Sequence, residues 1–105
     1  MLVLFDQATP VPLKQELTFD VSTVFELGWA TVENDELLTL AEDKGFDILL
    51  TTDKKLKYQQ NLSNRSIGII VLSTTSWPRI QKVAHEIETT IRNIDIGGFV
   101  EIQIP

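Results

Sequence analysis

Two aspartates are the residues of this chain whose placement most favours chemistry. Asp6 follows the apolar residues 2–5, and Asp53 follows Ile48-Leu49-Leu50 and two threonines. Apolar stretches without polar alternation indicate strands buried on both faces of a parallel sheet. The carboxyl ends of neighbouring parallel strands meet at one edge of the sheet, where ligands bind near the switch in strand order. We therefore expect Asp6 and Asp53 to lie close together at that edge.

A pair of carboxylates at such an edge favours a bound cation. Two carboxylates about 6 Å apart repel each other by roughly 2–3 kcal/mol at an effective dielectric constant of about 20. A cation or a shared proton between them removes this repulsion. Oxygen ligands favour Mg²⁺ or Mn²⁺, and either ion can activate water and neutralise a phosphodiester. The alternative is that each aspartate is only a turn residue or a helix cap.

The elements that position this pair follow from the pattern of apolar residues. Strands are predicted at 2–5, 21–25, 48–50, 67–72 and 100–104, and helices at 10–18, 34–44, 54–60 and 78–93. Thr9 and Asn34 have side chains typical of helix N-caps, and Gly45 ends the second helix. Strict alternation of strands and helices predicts right-handed crossovers. We expect one domain over residues 1–105, an α/β fold of three layers around a doubly wound, mostly parallel five-stranded sheet.

The composition narrows the class of protein. The 105 residues are 43% hydrophobic, which suffices for one core, and they contain no cysteine. The lack of cysteine excludes disulfides and thiolate metal sites and favours a cytoplasmic protein. The apolar stretch after Met1 is too short for a signal peptide or a membrane span. We therefore expect no association with membranes.

The charge is negative overall but unevenly distributed. A net charge of −6 counts against general nucleic-acid binding, which relies on a basic surface. Four of the nine cations nevertheless fall within one short window, at Lys54, Lys55, Lys57 and Arg65. Lys54 and Lys55 are candidates to bind substrate phosphate, and the alternative is a solvated helix face. The amides Gln59-Gln60-Asn61 are a second candidate substrate-binding cluster, or they cap the short helix.

Two further side chains, Trp29 and His85, are of types that often have a role at functional sites. Trp29 is a candidate platform for stacking a base, or a loop residue that packs on the core. His85 is the only histidine and lies in the middle of a predicted helix, far from the proposed edge. We expect His85 to be structural, and the chain contains neither a Ser-His-Asp pattern nor a glycine-rich phosphate loop.

Five short segments of the first 73 residues occur in a distinctive order. They are LFDQATP from Leu4, ELGWA from Glu26, NDELLTLAE from Asn34, LTTDKKL from Leu50 and YQQNL from Tyr58. This ordered set resembles a small bacterial branch of the PIN-like domains. The wider superfamily includes the ribonuclease toxins of VapBC-type toxin–antitoxin pairs. The resemblance implies a PIN-like fold and a metal-dependent endoribonuclease that uses Mg²⁺ or Mn²⁺, the toxin half of such a pair being one form.

The resemblance also implies roles for individual residues. Asp6 matches the acid of the first strand and Asp53 the acid after the third strand, so both are expected to bind metal and to be catalytic. The acid at the start of the second helix is replaced by Asn34, a catalytic candidate that offers an uncharged carbonyl ligand. Glu36 is the neighbouring candidate metal ligand. Where many PIN-like chains carry another acid, this chain has Lys55.

Partners and alternative functions complete the expectations. RNA is the implied substrate, and an antitoxin-like protein and a second copy of the chain, through the edge of the last strand, are the implied partners. The missing acids and the negative net charge favour a second class, a PIN-like interaction module without catalysis. A third class is a receiver-like module that binds phosphate or a nucleotide. It is less favoured because such modules pair acids after strand one, whereas Asp6 stands between Phe5 and Gln7.

Overall fold

The computed structural model describes residues 1–58 and 65–105, with residues 57 and 58 described by their backbone alone. Its strands are β1 (Leu2–Phe5), β2 (Asp20–Thr23), β3 (Ile48–Thr51), β4 (Gly68–Leu72) and β5 (Phe99–Ile102). They form one sheet in the order β2-β1-β3-β4-β5, and all four pairings of this sheet are parallel. The predicted five-stranded parallel sheet is thus confirmed, with β2 and β5 at its edges.

The order of the strands reverses between β1 and β3. The chain passes from β1 to β2 on one side and then crosses to β3 on the other, so β1 and β3 form the topological switch point. Their register pairs Phe5 with Leu50, and the backbone N–H of Asp6 donates to the Leu50 carbonyl at 3.2 Å. Asp6 therefore leaves β1 beside the last residues of β3, at the place where ligands bind in open α/β sheets.

Helices connect the strands. The α-helices are α1 (Asn34–Asp43), α2 (Trp77–Gln81) and α3 (Ala84–Asn93), and 3-10 helices occur at Val11–Glu16 and Lys54–Tyr58. The predicted α-helix at 10–18 is wrong in type and length, since this segment is a 3-10 helix. Pro10 and Pro12 lack backbone N–H groups, which leaves few donors for α-helical hydrogen bonds in so short a segment.

The predicted long helix at 78–93 is also wrong, because it is divided into α2 and α3. The backbone of Val83 has φ −116° and ψ 18°, outside the α-helical range. Its N–H donates to the Ile80 carbonyl at 3.0 Å, a 3-10-type bond that tightens the turn between the two helices.

Two hydrophobic cores lie on opposite faces of the sheet. Side chains alternate along each buried strand, so Val3 and Phe5 enter one core while Leu4 enters the other. Residues of the 3-10 helix Val11–Glu16, α2 and α3 complete the first core. Residues of α1 and Leu56 complete the second core. The three-layer α/β architecture is therefore confirmed, and no helix in the described ranges is long and apolar enough to cross a membrane.

Candidate functional site

A pocket of about 520 Å³ opens at the carboxyl ends of β1 and β3. Its polar wall includes both predicted aspartates, Asp6 and Asp53, and its remaining surface is largely apolar. The lining residues are Asp6, Gln7, Ala8, Val24, Trp29, Ala30, Val32, Asn34, Leu37, Thr52 and Asp53. The structure therefore brings the two aspartates and Asn34 into one pocket at the switch point.

Asp6 is held by two buried threonine hydroxyls. Thr9 Oγ1 lies 2.8 Å from Asp6 Oδ1 and 3.0 Å from the Leu50 carbonyl oxygen, so its single proton has two acceptors. Thr51 Oγ1 donates to Asp6 Oδ2. Thr9 and Thr51 are 3% and 1% exposed, and such buried hydroxyls need a partner. The prediction that Thr9 caps the following helix is wrong, since Pro10 occupies the N-cap and no side chain caps it.

Asp53 is held from the other side of the pocket by N–H donors. Its Oδ1 accepts a hydrogen bond of 2.9 Å from the backbone N–H of Lys55. Its Oδ2 accepts one of 2.7 Å from the Asn34 side-chain amide. Its own backbone N–H donates to Thr51 Oγ1 at 3.0 Å. The Thr51 hydroxyl thus joins the two aspartates, because it donates to Asp6 and accepts from Asp53.

Asn34 contributes its side chain to the site instead of to the helix end. It was predicted as the N-cap of α1, but Glu33 occupies that position, again without a side-chain cap bond, and Asn34 is the first helical residue. Only the NH₂ group of an asparagine can donate, so the 2.7 Å contact assigns that group to Asp53. The capping prediction failed because the helix begins at Asn34 itself, so the extended backbone that an N-cap requires falls at Glu33.

A second depression of about 980 Å³ adjoins the pocket. It is lined by Thr31, Glu33, Asn34, Asp35, Glu36 and Lys55. Glu36 is exposed and belongs to this depression, not to the wall that carries Asp6 and Asp53. Asn34 is shared by the two concavities, so its side chain forms part of the boundary between them.

The predicted cationic cluster is smaller in the structure. Lys54 and Lys55 are exposed on the 3-10 helix that follows Asp53. Arg65 is instead bound to α1, with Nη1 at 2.7 Å from Glu42 Oε1 and Nη2 at 2.8 Å from Asp35 Oδ1. The remaining predicted substrate-binding residues, Gln59, Gln60 and Asn61, lie outside the described ranges.

An apolar wall faces the two aspartates. It is formed by Ala8, Val24, Trp29, Ala30, Val32 and Leu37. Trp29 is half-buried, and its ring packs edge-on against Phe46 with the centroids 6.3 Å apart. The packing interpretation of Trp29 is therefore confirmed, since its ring packs on the second core. Trp29 also lines the pocket, where stacking of a base stays a prediction.

The donor chemistry of the pocket fits a hard divalent cation. Asp6 and Asp53 supply oxygen ligands, and Mg²⁺ is commonly held by one or two carboxylates with water and substrate oxygens in the remaining positions. Each carboxylate oxygen accepts more than one interaction, so the hydrogen bonds above leave room for a cation. In the described part of the chain, however, no group of three or more acids, histidines or cysteines is placed to hold one.

The threonines are the site residues that sequence reasoning missed. Their signal lies in the sequence, since Thr51 and Thr52 directly precede Asp53 and Thr9 follows Asp6 by three residues, but Thr9 was predicted only as a helix cap. Ser73 and Thr74, which follow β4 at the same edge of the sheet, bind backbone N–H groups instead. Ser73 Oγ accepts from the N–H of Ile104 at 2.8 Å, and Thr74 Oγ1 accepts from the N–H of Ser76 at 3.1 Å.

Comparison with known proteins adds no relative. No family model matches the chain, and the searches of curated proteins and of solved structures returned no match.

Proposed function

We propose that this protein is a metal-dependent endoribonuclease of PIN-like type, whose pocket takes Mg²⁺ or Mn²⁺ between Asp6 and Asp53. The observation that supports the proposal is the convergence of these carboxylates, from distant parts of the chain, in one pocket at the switch point. The ordered resemblance of the first 73 residues to PIN-like domains supplies the reaction class. A toxin of a toxin–antitoxin pair is the form of such an enzyme that we favour.

The side chains at this proposed site have different roles. A bound divalent ion supplies Lewis acidity and an activated water. Asp6 and Asp53 would hold such an ion, and the hydroxyls of Thr9 and Thr51 fix the orientation of Asp6. Lys54 and Lys55, exposed beside the pocket, bind phosphates of the RNA strand.

RNA cleavage by the purified protein in Mn²⁺ tests the proposal. We expect Asp6→Asn and Asp53→Asn each to lower the cleavage rate about 100-fold, which corresponds to about 2.7 kcal/mol of activation free energy. Asp43→Asn is the matched control, because Asp43 is exposed at the last residue of α1, and it should leave the rate unchanged. Equal cleavage by all four proteins would contradict the assignment of the site.

One observation favours a second candidate, an interaction module that retains the fold without catalysis. The Asn34 amide already binds Asp53 Oδ2 at 2.7 Å, and the described residues that line the pocket include two acids and no third. Calorimetry separates the candidates. A module would show no heat on addition of Mn²⁺ and would bind the product of a neighbouring gene tightly.

A further inference from the structure

The Asn34 side chain makes the one hydrogen bond in the described structure that a side chain gives to Asp53. Its Nδ2 lies 2.7 Å from Oδ2 of Asp53, at the short end of the range for an N–H donor. The other carboxylate oxygen is bound by a backbone N–H. Asp53 therefore depends on Asn34 for the orientation of its side chain.

In the part of the chain that the structure describes, neutral hydrogen-bond donors bind both acids. Asp6 is bound by the hydroxyls of Thr9 and Thr51, and Asp53 by an amide and a backbone N–H. Across the residues that the structure describes, neither aspartate forms an ion pair, and no lysine or arginine lines the pocket. These neutral donors therefore satisfy the carboxylate oxygens and fix the orientation of both side chains.

We propose that Asn34 is a positioning residue whose amide stands in the place of a cation beside Asp53, so that the pocket is assembled before any metal binds. The link to metal binding rests on the proposed function, whereas the assembly of the metal-free pocket does not. Asp53 would bind such an ion while also accepting the amide of Asn34, so the amide would lower the affinity of the site for the ion. A carboxylate at position 34 would have the opposite effect: it would repel Asp53 without metal and add a third charged ligand with it.

The variant Asn34→Asp tests this inference, and Gln7→Glu is its control. Gln7 lines the same pocket and is exposed, so Gln7→Glu adds one negative charge to the pocket without removing the amide from Asp53. In a chelator, we expect Asn34→Asp to melt at least about 4 °C below the wild type and Gln7→Glu to melt close to it.

Addition of Mn²⁺ should reverse the order of the variants. We expect calorimetry to give Asn34→Asp an affinity for Mn²⁺ at least about tenfold above that of the wild type, since ligand charge sets the affinity of oxygen sites. Its melting temperature should rise in Mn²⁺ by more than that of the wild type or of Gln7→Glu. The inference would be overturned if Asn34→Asp and the wild type had equal melting temperatures in chelator. It would also be overturned if Asn34→Asp bound Mn²⁺ with the affinity of the wild type.

A measurement on the wild type guards against failure of the variant to fold. Nuclear magnetic resonance in chelator should show one Asn34 side-chain amide proton shifted downfield of its position in an unstructured peptide, because of its bond to Asp53. Addition of Mg²⁺ should move that signal. Asn34 side-chain amide signals at the positions of an unstructured peptide would contradict the inference.

The outcomes for the two proposals are distinguishable. If the melting temperatures and Mn²⁺ affinities are as expected but the wild type does not cleave RNA, the proposed nuclease function is contradicted and the role of Asn34 is supported. Cleavage of RNA that depends on Asp6 and Asp53, with no effect of Asn34→Asp on melting or affinity, would do the reverse.

Discussion

At the scale of single residues, the site depends on a hydroxyl that is almost completely buried. Thr51 is the last residue of β3 and is 1% exposed. It donates to Asp6 and accepts from the backbone of Asp53. A side chain of the same shape without the hydroxyl would leave both neighbours with an unmade bond in a region poor in water.

We predict that Thr51→Val lowers the free energy of unfolding by about 1–3 kcal/mol, the cost of leaving buried polar groups unpaired. The same substitution should lower the affinity for Mn²⁺ by about tenfold, because it frees the Asp6 carboxylate to rotate. Urea denaturation and calorimetry measure the two effects. Thr75→Val is the control, since Thr75 is exposed in the loop after β4, and a similar loss there would refute the explanation.

The sequence predicts the two aspartates of the site but not their partners. Each aspartate follows an apolar stretch, and the end of a buried strand can be recognised from such a stretch alone. The roles of Thr9, Thr51 and Asn34 depend on how β1, β3 and α1 are placed in space. Patterns of neighbouring residues can suggest only local roles, such as helix capping. The hydrogen bonds of these three residues to the aspartates arise from tertiary contacts, which such patterns do not contain.

At the scale of elements, a carboxylate on α1 fixes the segment that leads into β4. Glu42 accepts a bond of 2.7 Å from Arg65 and two bonds, of 2.7 and 2.8 Å, from the backbone and hydroxyl of Ser66. Partial burial acts to raise the pKa of Glu42, but the hydrogen bonds from Arg65 and Ser66 outweigh it and hold the pKa below its usual range. The ionised form of Glu42 is thus part of the folded structure.

We predict that Glu42→Gln lowers the free energy of unfolding at pH 7 by roughly 1–3 kcal/mol, as expected for hydrogen bonds to a charged group. Because the folded-state pKa is lowered, the contribution of Glu42 is complete above its unfolded pKa of about 4.3 and is lost as the pH falls through the folded value. The difference between wild type and variant should therefore shrink below about pH 4.3. Denaturant unfolding as a function of pH measures it.

The exposed ion pair of Glu26 provides the control for this experiment. Its bond of 3.2 Å to Lys14 lowers the pKa of Glu26, yet half of the Glu26 side chain is exposed and solvent screens the pair. Glu26→Gln should have a smaller effect than Glu42→Gln. An equal effect would show that burial of the Glu42 contacts does not matter.

The turn that leads into β5 imposes a glycine. Gly97 has φ +71°, and a Cβ atom there would lie 2.5 Å from the carbonyl oxygen of Arg65. Gly45 has a similar φ of +83°, but nothing lies within 4 Å of its added Cβ. The two positions share the backbone conformation and differ only in the space available.

We predict that Gly97→Ala lowers the free energy of unfolding by more than about 3 kcal/mol, because a backbone clash adds to the cost of a left-handed conformation. Gly45→Ala should cost only about 1–2 kcal/mol, the conformational part. Thermal or denaturant unfolding of both variants measures the difference. Equal losses would show that β5 can move away from Arg65 without cost.

Elements were predicted unevenly for a physical reason. Strands β1, β3 and β4 were predicted well because each contains a continuous apolar segment in a sheet that is covered on both faces. The helices at 10–18 and 78–93 were misjudged because apolar spacing does not distinguish α from 3-10 geometry, nor does it locate a tightened turn such as the one at Val83.

At the scale of the whole molecule, the net charge opposes the binding of RNA. A net charge of −6 repels RNA, so the approach of a strand to the proposed site depends on local cations. Lys54 and Lys55 follow the carboxyl end of β3, beside the site, whereas Lys44 follows α1 and precedes the amino end of β3. The position of a lysine, and not the total charge, should therefore decide its effect on RNA.

We predict that the double variant Lys54→Ala, Lys55→Ala raises the KM for RNA roughly tenfold. The KM of this variant should also depend less steeply on salt concentration than the KM of the wild type. The double variant Lys44→Ala, Lys82→Ala has the same net charge and should leave KM nearly unchanged. Steady-state cleavage at two salt concentrations measures both. Equal effects would indicate that only the total charge matters.

The connection of β1 to β3 has a consequence for how the chain folds. Asp6 and Thr51, which meet across this pairing, are 45 residues apart in sequence, and contacts of such high sequence separation slow folding because a long loop must close first. The pocket therefore forms only after β1 has paired with β3. A ligand of the pocket binds the native state and not its partly folded precursors, so it should slow unfolding while leaving the rate of folding unchanged.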